Sequence, residues 1–279
     1  MKWAGGKSRL VPELRARIPA SIRTYAEPFA GGAALFFALA GEPPQKRRPG
    51  RIYERAVLAD RNEDLLACYR AVRDDVEALI EALGHYRYDA DLFYATRDVD
   101  PTTLDDVARG ARFIFLNRTC FNGLWRVNAS GKFNVPFGRY TNPRILDPDV
   151  LRAASHALQG VALEVADFSE VTRDMGPGDF VYFDPPYVPV SDTADFTSYA
   201  SGGFGRPDQE RLVAEFRALR ERGAKAMISN ADTEETRSLY ADFAVYVVRA
   251  ARNINSDPTK RGETNELLVQ SWGKRGVHA

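Results

Sequence analysis

The chain has 279 residues, of which 44% are apolar, and its 38 lysines and arginines balance 38 aspartates and glutamates. This length and composition predict a globular protein with one large domain, or one domain that carries a substantial insertion. Because the net charge is zero, a polyanionic partner must be met by local cationic patches.

The cysteine, histidine and hydropathy patterns exclude several functions. The two cysteines, Cys68 and Cys120, and three histidines are too few for a disulfide framework or a zinc cage, so metal catalysis is not expected and both cysteines are predicted to be buried thiols. No apolar stretch is long enough to span a bilayer, and the amino terminus lacks the apolar core of a signal peptide. We expect a soluble, reduced, cytoplasmic protein that is a monomer in solution.

Short apolar and β-branched runs alternate with helical patterns along much of the chain. Helices are predicted near 33–39 and 63–83, after Pro148, and from Pro207 to Gly223. This alternation predicts an α/β fold with a mostly parallel, doubly wound sheet and helices on both faces. The seven predicted strands lie near 24–27, 56–60, 161–166, 180–184, 225–229, 245–250 and 266–271.

Two glycine-containing segments near the amino terminus are candidate ligand contacts. Trp3 and Lys7 flank a glycine pair, and the Trp3 ring either stacks on a ligand base or covers the rim of the core. The segment 27–32 follows a predicted strand and precedes a helix, where glycines let the backbone approach a ligand. Asp60 ends the next strand and fits the acidic residue that binds ribose hydroxyls in nucleotide-binding α/β folds.

The segment that follows interrupts the alternation and is predicted to be an insertion. No acidic residue lies between Asp106 and Asp147, aromatic and amide residues interleave over 117–140, and 128–131 is typical of a hairpin turn. A charge run is usually a solvated face, but a patch of one sign with amides and aromatic rings favours nucleic-acid binding. The seven cations of this stretch are Arg109, Arg112, Arg118, Arg126, Lys132, Arg139 and Arg144.

A later strand ends at an unusual tetrapeptide, Asp184-Pro185-Pro186-Tyr187. The run at 180–183 is typical of a strand buried on both faces, and neither proline extends a sheet. The chain must therefore leave the sheet at Asp184, and ligands bind at the carboxyl ends of central strands in open α/β sheets. A rigid loop without function is the alternative.

Together these segments resemble the Dam-type DNA adenine-N6 methyltransferases of the D12 class, alpha group. The resemblance covers nearly the whole chain, in the order cofactor motif, inserted recognition domain and DPPY turn. The matching segments are KWAGGK at 2–7, EPFAGGA at 27–33, LADRN at 58–62, FLNRTCFNGLWRVNASGKFNVPFGRY at 115–140, DPPY at 184–187, FTSY at 196–199 and ISNADT at 228–233.

The resemblance implies a class I S-adenosylmethionine-dependent methyltransferase fold with a seven-stranded, mostly parallel sheet. It implies a catalytic domain from 1–62 and 147–279, a DNA target-recognition domain at 63–146, S-adenosylmethionine as donor, no metal, and duplex DNA as partner, with which the protein would associate in the nucleoid. The implied cofactor contacts are Trp3, Lys7, Glu27, Phe29, Gly31, Asp60, Asp167, Phe168 and Asp184. The implied catalytic residues are Asp184, Pro185, Pro186 and Tyr187, and the implied DNA contacts are Lys2, Asn122, Leu124, Arg126, Pro136, Arg139 and Tyr140.

The implied activity is methyl transfer to N6 of a flipped-out adenine in a short duplex site, GATC or a related site containing GAT. The Asp184 carboxylate and the Pro185 carbonyl would accept the two N6 hydrogens while Tyr187 stacks on the base. Arg126 suits a guanine edge and Leu124 a thymine methyl. The alternatives are a methyltransferase acting on protein glutamine or RNA, which would not need the acid-free insertion, and a non-catalytic DNA-binding protein with the same fold.

Two features depart from the family pattern. Ala33 stands where the second glycine of a Gly-x-Gly loop belongs, so a positive φ at this position would strain the loop. The chain also begins one residue before Lys2, so Lys2 is either poorly fixed or preceded by further residues.

Overall fold

The computed structural model describes residues 6–41, 52–187, 204–251, 263–274 and 276–278, and eight strands in these ranges form one sheet. The strands are β1 (Ile22–Glu27), β2 (Tyr53–Asp60), β3 (Ala162–Val165), β4 (Phe180–Phe183), β5 (Lys225–Ala231), β6 (Ala244–Ala251), β7 (Glu263–Gln270) and β8 (Gly276–His278). Their spatial order is β3-β2-β1-β4-β5-β7-β6-β8.

The sheet has a switch point between β1 and β4. All pairs from β3 to β5 are parallel, whereas β7 is antiparallel to both β5 and β6, and β8 is parallel to β6. The chain runs outward from β1 through β2 to β3, and then outward in the other direction from β4 to β5. Ligands bind beyond the carboxyl ends of the strands at such a point. Glu27 ends β1 and Asp184 follows β4, so both flank it.

Helices cover both faces of this sheet. The helices are α1 (Val11–Arg17), α2 (Ala34–Ala40), α3 (Glu63–Asp74), α4 (Val76–Gly84), α5 (Ala90–Asp98), α6 (Asp106–Thr119), α7 (Pro148–Leu158), α8 (Phe168–Val171), α9 (Arg206–Glu221) and α10 (Glu234–Leu239). Pro148 is the first residue of α7, in agreement with its predicted first-turn position, and the Asp147 side chain accepts from the Val150 N–H to cap the helix.

Alternate residues of the central strands point into two separate cores, because successive side chains in a strand face opposite ways. Phe180 and Tyr182 of β4 lie in one core with apolar residues of α1, α2, α3 and α7. Val181 and Phe183 lie in the other core with residues of α8 and α9, such as Phe216. All four β4 residues are buried, which confirms the prediction of a strand covered on both faces.

Two features of the predicted architecture need correction. The single helix predicted at 63–83 is wrong: α3 ends at Asp74, and the Asp75 side chain accepts a hydrogen bond from the backbone N–H of Ala78 to begin α4. The seven predicted strands are all present, but the sheet gains an eighth, β8, at its edge beside β6. In the described part of the chain no helix is both long and apolar enough to cross a membrane.

The segment 63–146 divides its packing between two cores. Helix α3 packs on β2, β3 and α7 and so belongs to the core of the sheet. Further along, Phe93, Phe115, Phe133 and Val135 form a smaller core between α5, α6 and the residues that follow α6. The segment therefore has an apolar core of its own beside the helix that anchors it to the sheet.

Ion pairs join α6 of this segment to α3. The Arg70 guanidinium donates to both carboxylate oxygens of Asp106, at 2.7 and 2.9 Å, and to Glu63 at 2.6 Å. Arg109 pairs with Asp64, and both side chains are mostly buried. Arginine is suited to such sites because its planar fork binds a carboxylate through two hydrogen bonds.

Candidate active site

Asp184, the first residue of the turn after β4, forms an ion pair. Lys7 Nζ lies 2.8 Å from Asp184 Oδ1, and Lys7 is only 6% exposed. Ser229, in the neighbouring strand β5, donates its hydroxyl to the same oxygen at 2.9 Å, and the Tyr182 hydroxyl lies 3.0 Å from Ser229 Oγ. Both contacts engage Oδ1, and no described residue donates to Asp184 Oδ2. Within the described part of the chain, Oδ1 is thus anchored and Oδ2 has no donor.

The next residues of the turn are held by two other elements. Gln209, buried in the first turn of α9, donates from Nε2 to the Pro186 carbonyl at 3.0 Å. The Tyr187 hydroxyl donates to Glu266 Oε2 of β7 at 2.8 Å, and Lys7 Nζ lies 4.6 Å from the centre of the Tyr187 ring. Among the described residues none donates to the Pro185 carbonyl. The predicted turn is therefore rigid, with two acceptors left open.

Glycine and alanine in the loop after β1 both adopt left-handed backbone conformations. Gly31 and Ala33 each have φ of 46°, and Ala33 also has ψ of 43°. The expected strain at Ala33 is therefore present, since residues other than glycine, asparagine and aspartate are disfavoured in this conformation. The Tyr69 hydroxyl of α3 donates to the Gly31 carbonyl at 2.7 Å and supports this conformation from below.

Asp60 lies beside this loop at the end of β2. Its Oδ2 accepts from the Gly31 N–H at 3.1 Å and its Oδ1 from the Asn62 N–H at 3.0 Å. Burial raises the pKa of the Asp60 carboxyl, and these backbone hydrogen bonds lower it by less. A carboxylate has about four acceptor positions, so Asp60 retains capacity for hydroxyl donors.

Glu27 supports the loop from the protein interior. It is 3% exposed, and its Oε1 accepts from the Tyr25 hydroxyl and, at 2.7 Å, from the Phe36 N–H in the first turn of α2. Burial raises the pKa of the Glu27 carboxyl to about 8, although these hydrogen bonds act in the opposite direction. The predicted cofactor contact is thus bound to the amino terminus of a helix in this structure.

An aromatic wall lies beyond the ends of β1 and β3. The Phe29 and Phe168 rings are stacked with centroids 5.6 Å apart, and Phe204 meets Phe29 edge-on at 5.4 Å. Asp167 caps α8, and its carboxylate also pairs with Arg61 at 3.0 Å and Arg211 at 2.8 Å. Partial burial raises the pKa of Asp167. Hydrogen bonds from Ser169 and the charges of the two arginines lower it by a larger amount, so the net shift is downward. The Phe168 ring is only 3% exposed and contacts both Phe29 and the Arg211 guanidinium, whose Cζ is 5.0 Å from the ring centre, so Phe29 and Asp167 are the partly exposed members of this wall.

The predicted hairpin is present in the insertion. Val127 and Phe133 form an antiparallel bridge, and Asn128 Oδ1 accepts from the N–H groups of Ser130 and Lys132, at 3.0 Å each. The backbone at Gly138 is packed closely against its neighbours. A Cβ at this position would meet the Tyr140 ring at 2.5 Å and the Cys120 carbonyl oxygen at 2.7 Å. The segment is therefore built around turns that fix the side chains between them.

The residues predicted to contact DNA lie along this hairpin and its neighbours. Arg126 donates from Nε to Asn134 Oδ1 at 2.7 Å, and the Tyr140 hydroxyl donates to the Cys120 carbonyl at 2.8 Å. The exposed members are Asn122, Pro136 and Arg139, and the half-buried ones are Leu124, Arg126 and Tyr140. Asn122 has φ of 56°, a conformation that asparagine tolerates better than most residues.

Two of the seven predicted patch cations are directed into the protein, which corrects the prediction. Arg112 is 3% exposed and donates to the carbonyls of Thr96 and Arg97, while Arg109 is paired with Asp64. The other five are at least partly exposed, and Arg118 and Arg144 line a cleft of about 240 Å³ beside the hairpin. The remaining cations are Arg118, Arg126, Lys132, Arg139 and Arg144.

Three residues of the site were not identified from the sequence, and Phe121 was predicted only as one of the aromatic residues that interleave over 117–140. Ser229, Gln209 and Glu266 contact the turn from β5, α9 and β7, far along the chain from Asp184. Phe121 is 47% exposed next to Asn122, and such a ring on a cationic surface is suited to stacking on bases. The sequence pointed to Ser229 only indirectly, because this residue lies in the ISNADT segment at 228–233 that resembles the family.

Some predictions cannot be placed. Trp3, Lys2 and the segment 196–199 lie outside the described residues. Among the residues that are described, no cluster of three or more histidine, cysteine, aspartate or glutamate side chains is arranged to hold a metal ion.

Comparison with known proteins gives the family. The family described as D12 class N6 adenine-specific DNA methyltransferase matches residues 3–254. The chain is 39% identical to the Type II methyltransferase M1.LlaDCHI of Lactococcus lactis subsp. cremoris, covering 98% of this chain and 94% of that protein. It is 39% identical to the Type II methyltransferase M.MjaIII of Methanocaldococcus jannaschii, with 98% of each covered, and 36% identical to the DNA adenine methylase of Serratia marcescens, with 96% of each covered. A family match over nine-tenths of the chain, on a sheet with the predicted methyltransferase architecture, shows that this protein belongs to the D12 class of N6 adenine-specific DNA methyltransferases.

Proposed function

We propose that this enzyme transfers a methyl group from S-adenosylmethionine to N6 of an adenine flipped out of duplex DNA, at GATC or a related site containing GAT. The observation that carries the proposal is the anchored carboxylate of Asp184, with one open oxygen, next to Tyr187 at the switch point of the sheet. The glycine loop after β1 lies on the other side of that point.

The residues around the switch point fit S-adenosylmethionine. Asp60 has acceptor positions left for ribose hydroxyls, and Gly31 brings bare backbone close to that carboxylate. Phe29, which is partly exposed and stacks on the buried Phe168, is the apolar surface for the adenine ring of the cofactor, and Asp167 lies beside Phe168. When bound, the cofactor supplies a methyl group on a positively charged sulfur.

The catalytic turn then activates the target amine. The N6 lone pair is delocalised into the adenine ring, and acceptors for its hydrogens return electron density to nitrogen as it bonds to the methyl carbon and the sulfur–methyl bond breaks. The cationic amine then loses a proton to water or Asp184. Asp184 Oδ2 and the Pro185 carbonyl are the two open acceptors, and both bind more strongly as the amine becomes cationic. This is stabilisation of the transition state by groups already in place.

Anchoring of Oδ1 makes this acceptor geometry reproducible. Lys7 and Ser229 both contact Oδ1, so the plane of the Asp184 carboxyl group is fixed and Oδ2 has one direction. Pro186 is held through its carbonyl by Gln209, and this contact fixes the turn from the α9 side. Precise placement of reacting groups is worth several kcal/mol in enzymes.

The segment 63–146 is assigned to target recognition. Five cations that are at least partly exposed suit phosphate contacts, and Phe121 is placed to stack in the gap that a flipped base leaves. Arg126, oriented by Asn134, is assigned to a guanine edge, and Leu124 to a thymine methyl. Lys2 and Trp3 are assigned to DNA and cofactor by family resemblance alone.

Methyl transfer to unmethylated DNA tests the proposal. Purified protein is incubated with radiolabelled donor and duplexes that carry or lack GATC, with protein and RNA substrates in parallel and Asp184→Ala as the inactive control. Sequencing that detects N6-methyladenine then gives the modified base and its context. A protein that binds DNA and S-adenosylmethionine but transfers nothing would instead support the non-catalytic alternative.

A further inference from the structure

We propose that Glu266 is a positioning residue for catalysis, because its carboxylate fixes the position of the Tyr187 ring on which the target adenine stacks. This inference rests on the proposed transfer to a flipped adenine. The contact joins Tyr187 to Glu266 across 79 residues of sequence, with the phenol oxygen 2.8 Å from Oε2.

The strand that carries Glu266 is fixed on both sides. Glu266 is paired with Ala231 of β5 and with Val248 of β6, so its backbone lies inside the sheet. A carboxylate on a strand in this position is a rigid acceptor, whereas the Tyr187 side chain has two torsions that the backbone leaves free. The phenol oxygen lies on the axis of χ2, so the hydrogen bond fixes χ1 and with it the place that the ring occupies.

A cation lies over one face of the ring. Lys7 Nζ is 4.6 Å from the ring centre, so a base that stacks on Tyr187 would take the opposite face. Burial, with the nearby carboxylates of Asp184 and Glu266, raises the pKa of Tyr187 well above its ordinary value. The phenol therefore remains a donor to Glu266 throughout the physiological pH range.

A purely structural role gives a poor account of this pair. A purely structural contact would not need a half-buried carboxylate here, because an apolar residue would pack against a phenylalanine in place of Tyr187. The arrangement is useful if ring position matters, because a stacking platform placed before binding removes an ordering cost from the reaction.

A double-mutant cycle tests the inference. Tyr187→Phe keeps the ring and removes the donor, Glu266→Ala removes the acceptor, and Glu266→Gln keeps an acceptor oxygen without the charge. Asn265→Ala, an exposed neighbour on the same strand, is the control. For each variant kcat and the KM for cofactor are measured, together with the fluorescence of 2-aminopurine at the target position and the thermal unfolding temperature.

We expect Tyr187→Phe and Glu266→Ala to lower kcat by a similar factor, roughly tenfold, with the KM for cofactor within about twofold. The kcat of the double variant should be no lower than that of the less active single variant, and Glu266→Gln should retain most activity. Tyr187→Phe and Glu266→Ala should change the 2-aminopurine signal by the same amount. Multiplied losses in the double variant, or an unchanged kcat in Glu266→Ala, would overturn the inference.

Two further outcomes separate this inference from the proposed function. If the wild-type protein transfers no methyl group to DNA, the proposed function fails and this inference fails with it. If the wild type is active and Glu266→Ala does not fold, Tyr187→Phe and Glu266→Gln decide, because unchanged kcat and 2-aminopurine fluorescence in Tyr187→Phe contradict the inference alone.

Discussion

Lys7, near the amino terminus, and Asp184, at the end of β4, form an ion pair of 2.8 Å in which the lysine is 6% exposed. The same ammonium lies over the ring of Tyr187. A residue predicted only as a cofactor contact thus touches the two side chains assigned to acceptance and stacking. The first turn of the chain is thereby tied to the catalytic turn.

Removal of the Lys7 charge should therefore impair transfer rather than folding alone. We expect Lys7→Met to lower kcat on the order of 10²-fold, because Asp184 loses the contact that orients it. Initial rates at saturating DNA and donor measure this effect. Lys274→Met, at an exposed position, is the control. Activity of Lys7→Met within threefold of wild type would contradict the assigned role.

The buried carboxyl of Glu27 should make stability depend on pH. Burial raises its pKa from 4.5 to about 8, so between these values the folded protein keeps a proton that the unfolded chain releases. Stability from this group is complete below about pH 4.5 and is lost as pH rises toward 8. Glu27→Gln keeps an acceptor for Tyr25 and Phe36 and removes the titration.

Thermal unfolding of both proteins from pH 5 to pH 8 measures this difference. We expect the Tm of Glu27→Gln relative to wild type to rise with pH by several degrees, since about 1 kcal/mol corresponds to 2–4 °C in a protein of this size. Tm curves that remain parallel over the whole range would show that Glu27 does not titrate there.

The left-handed conformation of Ala33 gives a prediction about loop substitutions. Glycine relieves the strain but loses a buried methyl group and makes the unfolded chain more flexible, so Ala33→Gly should change stability by less than about 1 kcal/mol. A β-branched residue at this φ is strongly disfavoured, and Ala33→Val should cost about 2 kcal/mol or more. Chemical denaturation measures both values, and equal destabilisation by the two variants would contradict the strain.

Arg126 should act on sequence preference more than on affinity. We expect Arg126→Ala to relax specificity at one base pair, by about 1–3 kcal/mol, because a guanine contact is lost. Asn134→Ala should relax the same position more weakly, since Asn134 only orients the guanidinium. Rates on duplexes with each single-base change in GATC provide the measurement. Lys132→Ala is the comparison, and an equal loss on cognate and random duplexes for Arg126→Ala would rule out the assignment.

Local patterns predicted the seven strands, the exit from the sheet at Asp184, and the hairpin, because each depends on neighbouring residues. The break at Asp75 was missed because the apolar spacing of α3 and α4 continues across it while the aspartate starts a new helix. Ser229 and Glu266 were missed because they reach the turn from 45 and 79 residues away, and only the sheet brings them together. Arg109 was assigned to the surface because its acidic partner lies outside the acid-free stretch, on α3.

The inward direction of Arg109 and Arg112 also sets a limit on how salt acts on this enzyme. Each phosphate neutralised by a bound cation releases condensed counterions, and the logarithm of the binding constant falls with the logarithm of salt concentration by about 0.9 per phosphate. Arg109 and Arg112 are directed to protein carboxylate and carbonyl groups, which leaves five cations on this surface, and one of the five, Arg144, is itself paired with Asp147 at 2.9 Å. Its contribution to the salt dependence is therefore that of at most five phosphates.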